Sequence, residues 1–320
     1  MEERSIGYAR QVEDMRIAIY KDTLKNRRGA DNAVLALAAG LRERGHDAVV
    51  FEQEMLADRL AERWDVVISA GTNELLDLAG YAGAPVVQQF HTDPKSQFKW
   101  KRVVRNLKIR KALRKVAAIQ VLRGEFVAQV AKYGPQVAVI GNWSEWEGRA
   151  RTERPASKTI VYPAAFGKGK NQRLAAEAFA LISPEFPDWT LELYGNGEPD
   201  FVLPTAVRLM GYCDLDPVYA SCAFVAFPSL DEGFPLTLVD AAAFGCPAVM
   251  VRDWIGAAAA GGGIVSKPTV ADYAAAMRRL MSNPELVCEM GLAAKRFCQE
   301  RYSRKSILDK WETLLESVVK

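Results

Sequence analysis

Short β-rich runs alternate with longer helical ones from Met15 onward, and after a break near residue 150 the alternation begins again. No other feature restricts the fold as strongly. Strands separated by helix-length segments pair in parallel through right-handed crossovers. In the first half the strands read as Arg16–Tyr20, Ala48–Phe51, Asp65–Ser69, Pro85–Gln89, Ala117–Leu122 and Val137–Ile140. A loop ending at Gly29-Ala30 follows the first strand. A helix is then expected over Asp31–Arg44, with Val34, Leu37, Ala38 and Leu41 at helical spacing and Gly45 as its stop. Glu147–Ser157, rich in Arg, Glu and Pro and without apolar periodicity, reads as a linker. Beyond it, strands are expected over Thr159–Tyr162, Thr190–Tyr194, Ala223–Phe227 and Ala248–Val251. The helices there read as Gln172–Ile182, Leu236–Phe244, Ala271–Met281, Pro284–Arg301 and Ser303–Val319. The expected fold is α/β, with two Rossmann-like domains (residues 1–150 and 151–320) facing each other across a cleft. The last helix has the length to cross back to the first domain. Open parallel sheets bind ligands at the carboxyl ends of their strands, so the cleft is the expected site.

Composition narrows the function. A net charge of +3 is too small to imply a nucleic-acid partner. Five cysteines, none in a Cys-x-x-Cys pair, and only two histidines argue against a zinc site and for a reducing compartment. No run of about 18 apolar residues is present to span a membrane. Met1-Glu2-Glu3-Arg4 opens a polar segment unlike a signal peptide, so a cytoplasmic protein is expected, with the residues before Met15 either a disordered extension or an overlong reading frame.

The most informative segment runs from Phe227 through Ser229, Glu232-Gly233-Phe234-Pro235, Leu236, Thr237 and Asp240 to Gly245-Cys246-Pro247. A strand ends, a glycine turn lets the backbone approach a ligand, and a helix begins whose unpaired N–H groups and dipole suit a diphosphate. Glu232 stands before the helix, placed to accept from sugar hydroxyls. Asp240 stands about one turn in, placed to hold a ribose diol.

This string resembles the donor-binding signature of retaining GT-B glycosyltransferases of family four, the glycosyl transferases group 1, and the resemblance extends over nearly the whole chain from Met15. It implies a hexosyltransferase using a nucleoside-diphosphate sugar donor as substrate, with no cofactor and no metal. A UDP-sugar is favoured on prior grounds alone. The implied acceptor is a glycan or glycolipid in cell-surface polysaccharide or lipopolysaccharide assembly. Gly167-Lys168-Gly169-Lys170-Asn171-Gln172 is similar to the family's Lys-Gly and Lys-Asn segment. There a lysine meets the donor diphosphate, which points to Lys170, with Lys168 and Asn171 beside it. Gly195-Asn196-Gly197 matches the turn after the next strand, and Gly211-Tyr212 the loop that meets the nucleobase. Gly29-Ala30 occupies the place of the family's glycine turn. His91, at the end of a buried strand, is implied to contact the donor sugar, and Asn142 lies at the domain boundary. Glu232, His91 and Lys170 are therefore the implied catalytic residues.

Two positions depart from the pattern. Ala164-Ala165 stands where the family carries Gly-Arg, and Asp240 where it more often has Glu. A sugar-nucleotide-binding scaffold without transfer, or a GT-B-fold epimerase, stays open beside the transferase. No carboxylate stands as an obvious nucleophile, so the expected chemistry is same-face attack with the donor phosphate as base. Asp214-Leu215-Asp216 reads as a helix cap followed by Pro217 rather than as a metal motif. Gly261-Gly262-Gly263 reads as a flexible loop at the cleft. Lys95–Lys115 holds ten Lys or Arg and no acid, interleaved with Phe98, Trp100, Val103, Val104, Leu107 and Leu113. Such a segment is a solvated face, a peripheral contact with an anionic membrane, or a receiver for a phosphorylated or acidic glycolipid acceptor.

Overall fold

The computed structural model describes residues 14–24, 29–98, 100–134, 136–146 and 157–319. The opening segment before Asp14 and all of the expected linker except Ser157 lie outside the described residues.

The first domain runs β1 (Arg16–Tyr20), α1 (Gly29–Glu43), β2 (Asp47–Phe51), α2 (Leu56–Ala61), β3 (Val66–Ser69), α3 (Thr72–Asp77), β4 (Val86–Gln89), α4 (Val103–Leu113), β5 (Ala118–Val121), α5 (Val127–Val130) and β6 (Val137–Val139). Its strands lie in the order β2-β1-β3-β4-β5-β6, all pairs parallel. Both faces of this sheet are covered, and β3, β4 and β5 are buried at every position, the polar Ser69, Gln88, Gln89 and Gln120 included. Ile17 and Ile19 point to one core with Val34, Leu37 and Leu41 of α1. Ala18 and Tyr20 point to the other, with Phe51, Ile109 and Leu113.

The second domain runs β7 (Thr159–Pro163), α6 (Gln172–Ile182), β8 (Thr190–Tyr194), β9 (Val207–Gly211), α7 (Asp216–Ser221), β10 (Phe224–Phe227), α8 (Leu236–Ala243), β11 (Ala248–Met250), β12 (Gly263–Val265), α9 (Val270–Met281), α10 (Pro284–Arg301) and α11 (Arg304–Val319). The order is β12-β11-β10-β7-β8-β9, again parallel throughout. Strand order reverses between β7 and β10, and the loops leaving those two strands open the crevice where a ligand of such a sheet sits.

Helix α11 leaves the second domain and packs on the first. Ile307, Leu308, Trp311, Leu314 and Leu315 join the core of β1 and α1. Gly40 permits the contact, because a Cβ there would sit 2.8 Å from Leu308 Cδ2. Arg44 reaches Asp309 and Glu312, each at 2.8 Å. The buried His46 accepts from Met15 N through Nδ1, so its Nε2 carries the proton and donates to Glu312 at 3.3 Å.

Three expectations need correction. Strands β9 and β12 escape the sequence reading, since β9 exposes four of its five residues and β12 has three residues beginning on a glycine. Gly261-Gly262-Gly263 is no flexible loop at the cleft. It enters β12 at the opposite end of the sheet, where a Cβ on Gly263 would lie 2.6 Å from Ala248 O and one on Gly262 2.8 Å from Ala294 Cα. The cap of α7 is shifted as well: Asp214 accepts from Asp216 N at 3.2 Å, Leu215 is the capping residue, and Pro217 is in the second helical position.

Candidate active site

Two loops meet at the reversal point of the second sheet. One follows β7 and carries Lys170; the other follows β10 and carries Glu232. Leu230 N donates to Gly169 O at 2.8 Å and ties them together. Tyr162 donates to Lys170 O at 2.9 Å and accepts from Ser229 Oγ at 2.8 Å. Burial drives the Tyr162 pKa up, so the hydroxyl stays neutral and serves as a strut. Asn171 takes a left-handed conformation (φ 55°), which turns the lysine loop into α6. The outcome is a Lys170 Nζ to Glu232 Oε1 ion pair at 2.6 Å, with Glu232 7% exposed and Lys170 about a third exposed. A cation reaching solvent beside a shielded carboxylate suits a ligand that is anionic at one end and rich in hydroxyls at the other.

The first domain closes over this pair. A Cβ on Gly233 would lie 3.1 Å from Thr92 Cα and 3.4 Å from His91 O. The close approach that Gly233 permits is therefore to the His91 loop rather than to open ligand space. Phe234 packs edge-on against Tyr302 at 5.6 Å and over Gly141, plugging the domain boundary. His91 Nε2 is buried with no hydrogen-bond partner. Burial, and then the charge of Lys21, pushes the His91 pKa down to about 4, so the imidazole is neutral at physiological pH. Lys21 is itself held by Asp22 and by Glu74, the latter at 2.6 Å. Burial opposes its charge, but these hydrogen bonds outweigh burial and raise its pKa.

Arg123 is a residue the sequence reading missed. It follows β5 as His91 follows β4, and that shared position at a strand's carboxyl end was the available signal. Its Nη2 donates to Glu232 O at 2.7 Å across the domain boundary, and its Nη1 meets Glu125 Oε1 at 2.5 Å. The guanidinium lies over Phe126 at 4.5 Å and Trp254 at 4.9 Å. Burial lowers its pKa, with Glu125 opposing. Arg123→Ala is expected to cost about 2 kcal/mol in urea denaturation, because the buried Glu232 carbonyl loses its donor, while the exposed Glu125 keeps Arg252. Arg123→Lys should recover little, since one ammonium cannot span both partners. A wild-type unfolding midpoint in the alanine variant would show that the contact carries no load.

Asp240 lies apart from the Lys170 pair. With Leu236, one helical turn before it, it lines a cavity of about 180 Å³ between Gly29 and Ala33 of α1 and Asn142, Glu145 and Trp146 after β6. Burial pushes the Asp240 pKa up to about 7; a hydrogen bond from Ser144 opposes this and the Glu145 carboxylate adds to it. Gly29, expected in a turn, is instead the first residue of α1, which starts two residues early with Asp31 in its first turn, where an acid suits the helix dipole.

The other expected positions have more local roles. Lys168 lines a separate depression with Asn171, Glu198 and Asp200 rather than facing Glu232. Gly195 (φ 128°) and Gly197 (φ 98°) serve packing of one loop on another: a Cβ on Gly195 would lie 2.5 Å from Ala164 O, and one on Gly197 3.1 Å from Phe166 Cβ. Tyr212 stands 82% exposed beyond β9. Pro235 caps α8, and the Thr237 hydroxyl donates to Pro163 O at 2.9 Å, anchoring the helix start to β7. Among the described residues no three His, Cys, Asp or Glu side chains cluster as a metal site requires.

Comparison with known proteins bears on this geometry. The model of the family described as glycosyl transferases group 1 matches residues 157–283, the second domain up to α10. A stretch of 206 residues is 29% identical to an exopolysaccharide phosphotransferase of Streptomyces coelicolor, covering 59% of this chain and 22% of that protein. A stretch of 165 residues is 27% identical to the poly(glycerol-phosphate) alpha-glucosyltransferase of Bacillus subtilis, covering 47% and 24%. The chain thus spans less than a quarter of the length of these two curated relatives. In solved structures, HepE of Anabaena in complex with UDP superposes with a TM-score of 0.77 at 17% identity, over 95% of this chain and 100% of that one. Two six-stranded parallel domains closing on one cleft give this chain the GT-B fold of glycosyltransferases, and its second domain carries the match to glycosyl transferases group 1.

Proposed function

We propose that this chain is a retaining glycosyltransferase of family four, moving a hexose from a nucleoside-diphosphate sugar to a hydroxyl of a glycan or glycolipid acceptor in the cytoplasm. The observation that carries the reading is the Lys170–Glu232 pair at the reversal point of the second sheet, beside the start of α8. On this reading the donor diphosphate takes Lys170 from Glu232. The released carboxylate then accepts hydrogen bonds from the sugar hydroxyls. The bond from the anomeric carbon to the diphosphate oxygen breaks, the acceptor oxygen bonds to the same face, and its proton passes to the departing phosphate. Lys170 and the α8 amides balance the leaving charge, so the reaction uses no divalent metal. Neutral His91 donates to the sugar, and Asp240 receives the ribose at the far side of the cleft. UDP is the first nucleotide to test, since the structurally similar HepE is described in complex with it.

Lys170→Ala is expected to weaken UDP binding by about 2 kcal/mol while leaving uridine binding unchanged, because a charge-assisted contact to phosphate is lost and none to the nucleoside. Calorimetry with both ligands reads the difference. An equal loss for both would move the diphosphate away from Lys170. Release of free sugar from a donor panel separates an enzyme from a scaffold, which binds nucleotide and releases none.

A further inference from the structure

Helix α4 has two opposed faces, and only one of them has a partner in the fold. Asn106, Ile109, Ala112 and Leu113 are buried, and the helix packs against α3. On the outer side Trp100, Val103, Val104 and Leu107 are 80%, 62%, 68% and 57% exposed. Val103, Val104 and Leu107, three and four residues apart, share one face of the helix, and the exposed Trp100 stands in the turn just before it. Around these residues lie Lys101, Arg102, Lys108, Lys111 and Lys115, all exposed. Lys99 belongs to the same run but lies outside the described residues. Among the described residues none of these cations meets a carboxylate, and Lys95–Lys115 contains no acid of its own.

The surface is also held rigidly at the mouth of the cleft. Arg105 donates to Asn73 Oδ1 at 2.8 Å, Thr72 Oγ1 at 3.0 Å and Gln97 O at 3.2 Å. Gln97 in turn donates to Thr92 Oγ1 at 2.9 Å, on the loop that carries His91. Arg110 lies over Phe98 at 5.7 Å and Arg114 over Tyr133 at 6.0 Å. These arginines are therefore tethers, Lys101 rests over the Trp100 ring at 5.2 Å, and Arg102, Lys108, Lys111 and Lys115 are the cations left to face outward.

We propose that α4 and the turn before it dock on an anionic lipid bilayer, with the cations on the headgroups and Trp100, Val103, Val104 and Leu107 in the interfacial layer. A nucleic acid would satisfy the charge but offers no apolar phase to three aliphatic side chains. A bilayer satisfies both. Resting on the transferase reading, this places the His91 side of the cleft against the membrane and makes the acceptor a lipid-carried glycan.

The test uses the full chain and vesicles of phosphatidylcholine with or without about 30% phosphatidylglycerol. Wild type should sediment with the anionic vesicles at about 0.05 M salt, ignore the neutral ones, and dissociate towards about 0.5 M. Replacing Lys101, Arg102, Lys108 and Lys111 together by Gln should weaken this binding by about a hundredfold, since each cation near an anionic leaflet contributes a few-fold. Arg105 is left in place because it is a tether. Trp100→Ala with Leu107→Ala should weaken vesicle binding while sparing heparin binding. UDP-induced thermal shift, read without vesicles, verifies that each variant is folded and tests the transferase reading separately. Absence of wild-type binding at low salt, full binding by the glutamine variant, or an equal effect of the apolar variant on heparin would each overturn the proposal.

Discussion

Glu232→Gln is expected to lower sugar transfer by about two to three orders of magnitude, the range seen when one preorganised electrostatic contact is removed from an active site. The substitution keeps the side-chain volume and its ability to accept hydrogen bonds, so the loop around it is preserved. What it removes is the charge within 2.6 Å of Lys170 Nζ. That has a second consequence. In the donor-free protein Glu232 occupies the lysine that the diphosphate needs, so the glutamine variant releases Lys170 and should bind UDP at least as tightly as wild type. Steady-state kinetics at saturating donor, together with calorimetry for UDP, reads both effects. Turnover at the wild-type rate would remove Glu232 from the site; loss of UDP binding in step with turnover would mean that the loop had collapsed.

The second large effect belongs to Asp240, and its sign is opposite for stability and for binding. Burial pushes its pKa up to about 7, with Ser144 opposing and Glu145 adding. An unfolded aspartate loses its proton near pH 4, whereas the folded one keeps it to about pH 7. Between those values the folded state binds the extra proton, so its stability falls as pH rises, and above the window the loss is complete. Asp240→Asn has no proton to lose. The variant should match wild type near pH 4 and exceed it above pH 7, by at most about 4 kcal/mol, since each pH step across that window contributes about 1.4 kcal/mol. On the proposed reading it should also bind UDP about tenfold more weakly, because a carboxylate facing a ribose diol becomes an amide. A protein that is more stable and binds less well is the pattern of a strained binding residue. Superimposable pH profiles and unchanged UDP affinity would return Asp240 to an ordinary helix position.

The architecture was legible wherever burial writes itself into the sequence. β1, β3 and β10 are covered on both faces and carry three or four consecutive apolar residues, whereas β9 faces solvent along most of its length and leaves no such mark. Helices α6, α8, α9 and α10 were found to within a residue or so because their apolar spacing is sustained. At the site, Glu232, Leu236 and Asp240 belong to one local strand–turn–helix passage that chain order alone makes visible, although Asp240 faces a different cavity from Glu232. Arg123, Ser144 and Glu145 act across the domain boundary, and no local pattern announces a contact made by tertiary closure. The glycines were partly misread for a related reason. A sequence shows that a Cβ is unwelcome at Gly195, Gly197, Gly233 or Gly263, but not what it would strike, and at these four positions the obstacle is the protein itself.

The return of α11 to the first domain has a consequence for how the chain is made. β1 through β6 emerge from the ribosome early, yet Ile307, Leu308, Trp311, Leu314 and Leu315 complete their core only after the whole second domain has been synthesised. Until then Val34, Leu37 and Leu41 have β1 beneath them, but the outer face of α1 around Gly40 lacks the cover that Leu308 gives it. Contacts separated by more than 260 residues, such as Arg44 with Asp309 and His46 with Glu312, form late because a very long loop must close before they contribute. The domain synthesised first is thus the last to be finished. A nascent chain arrested before Arg304 presents an apolar surface to chaperones and proteases, even though every strand of both sheets is already in place.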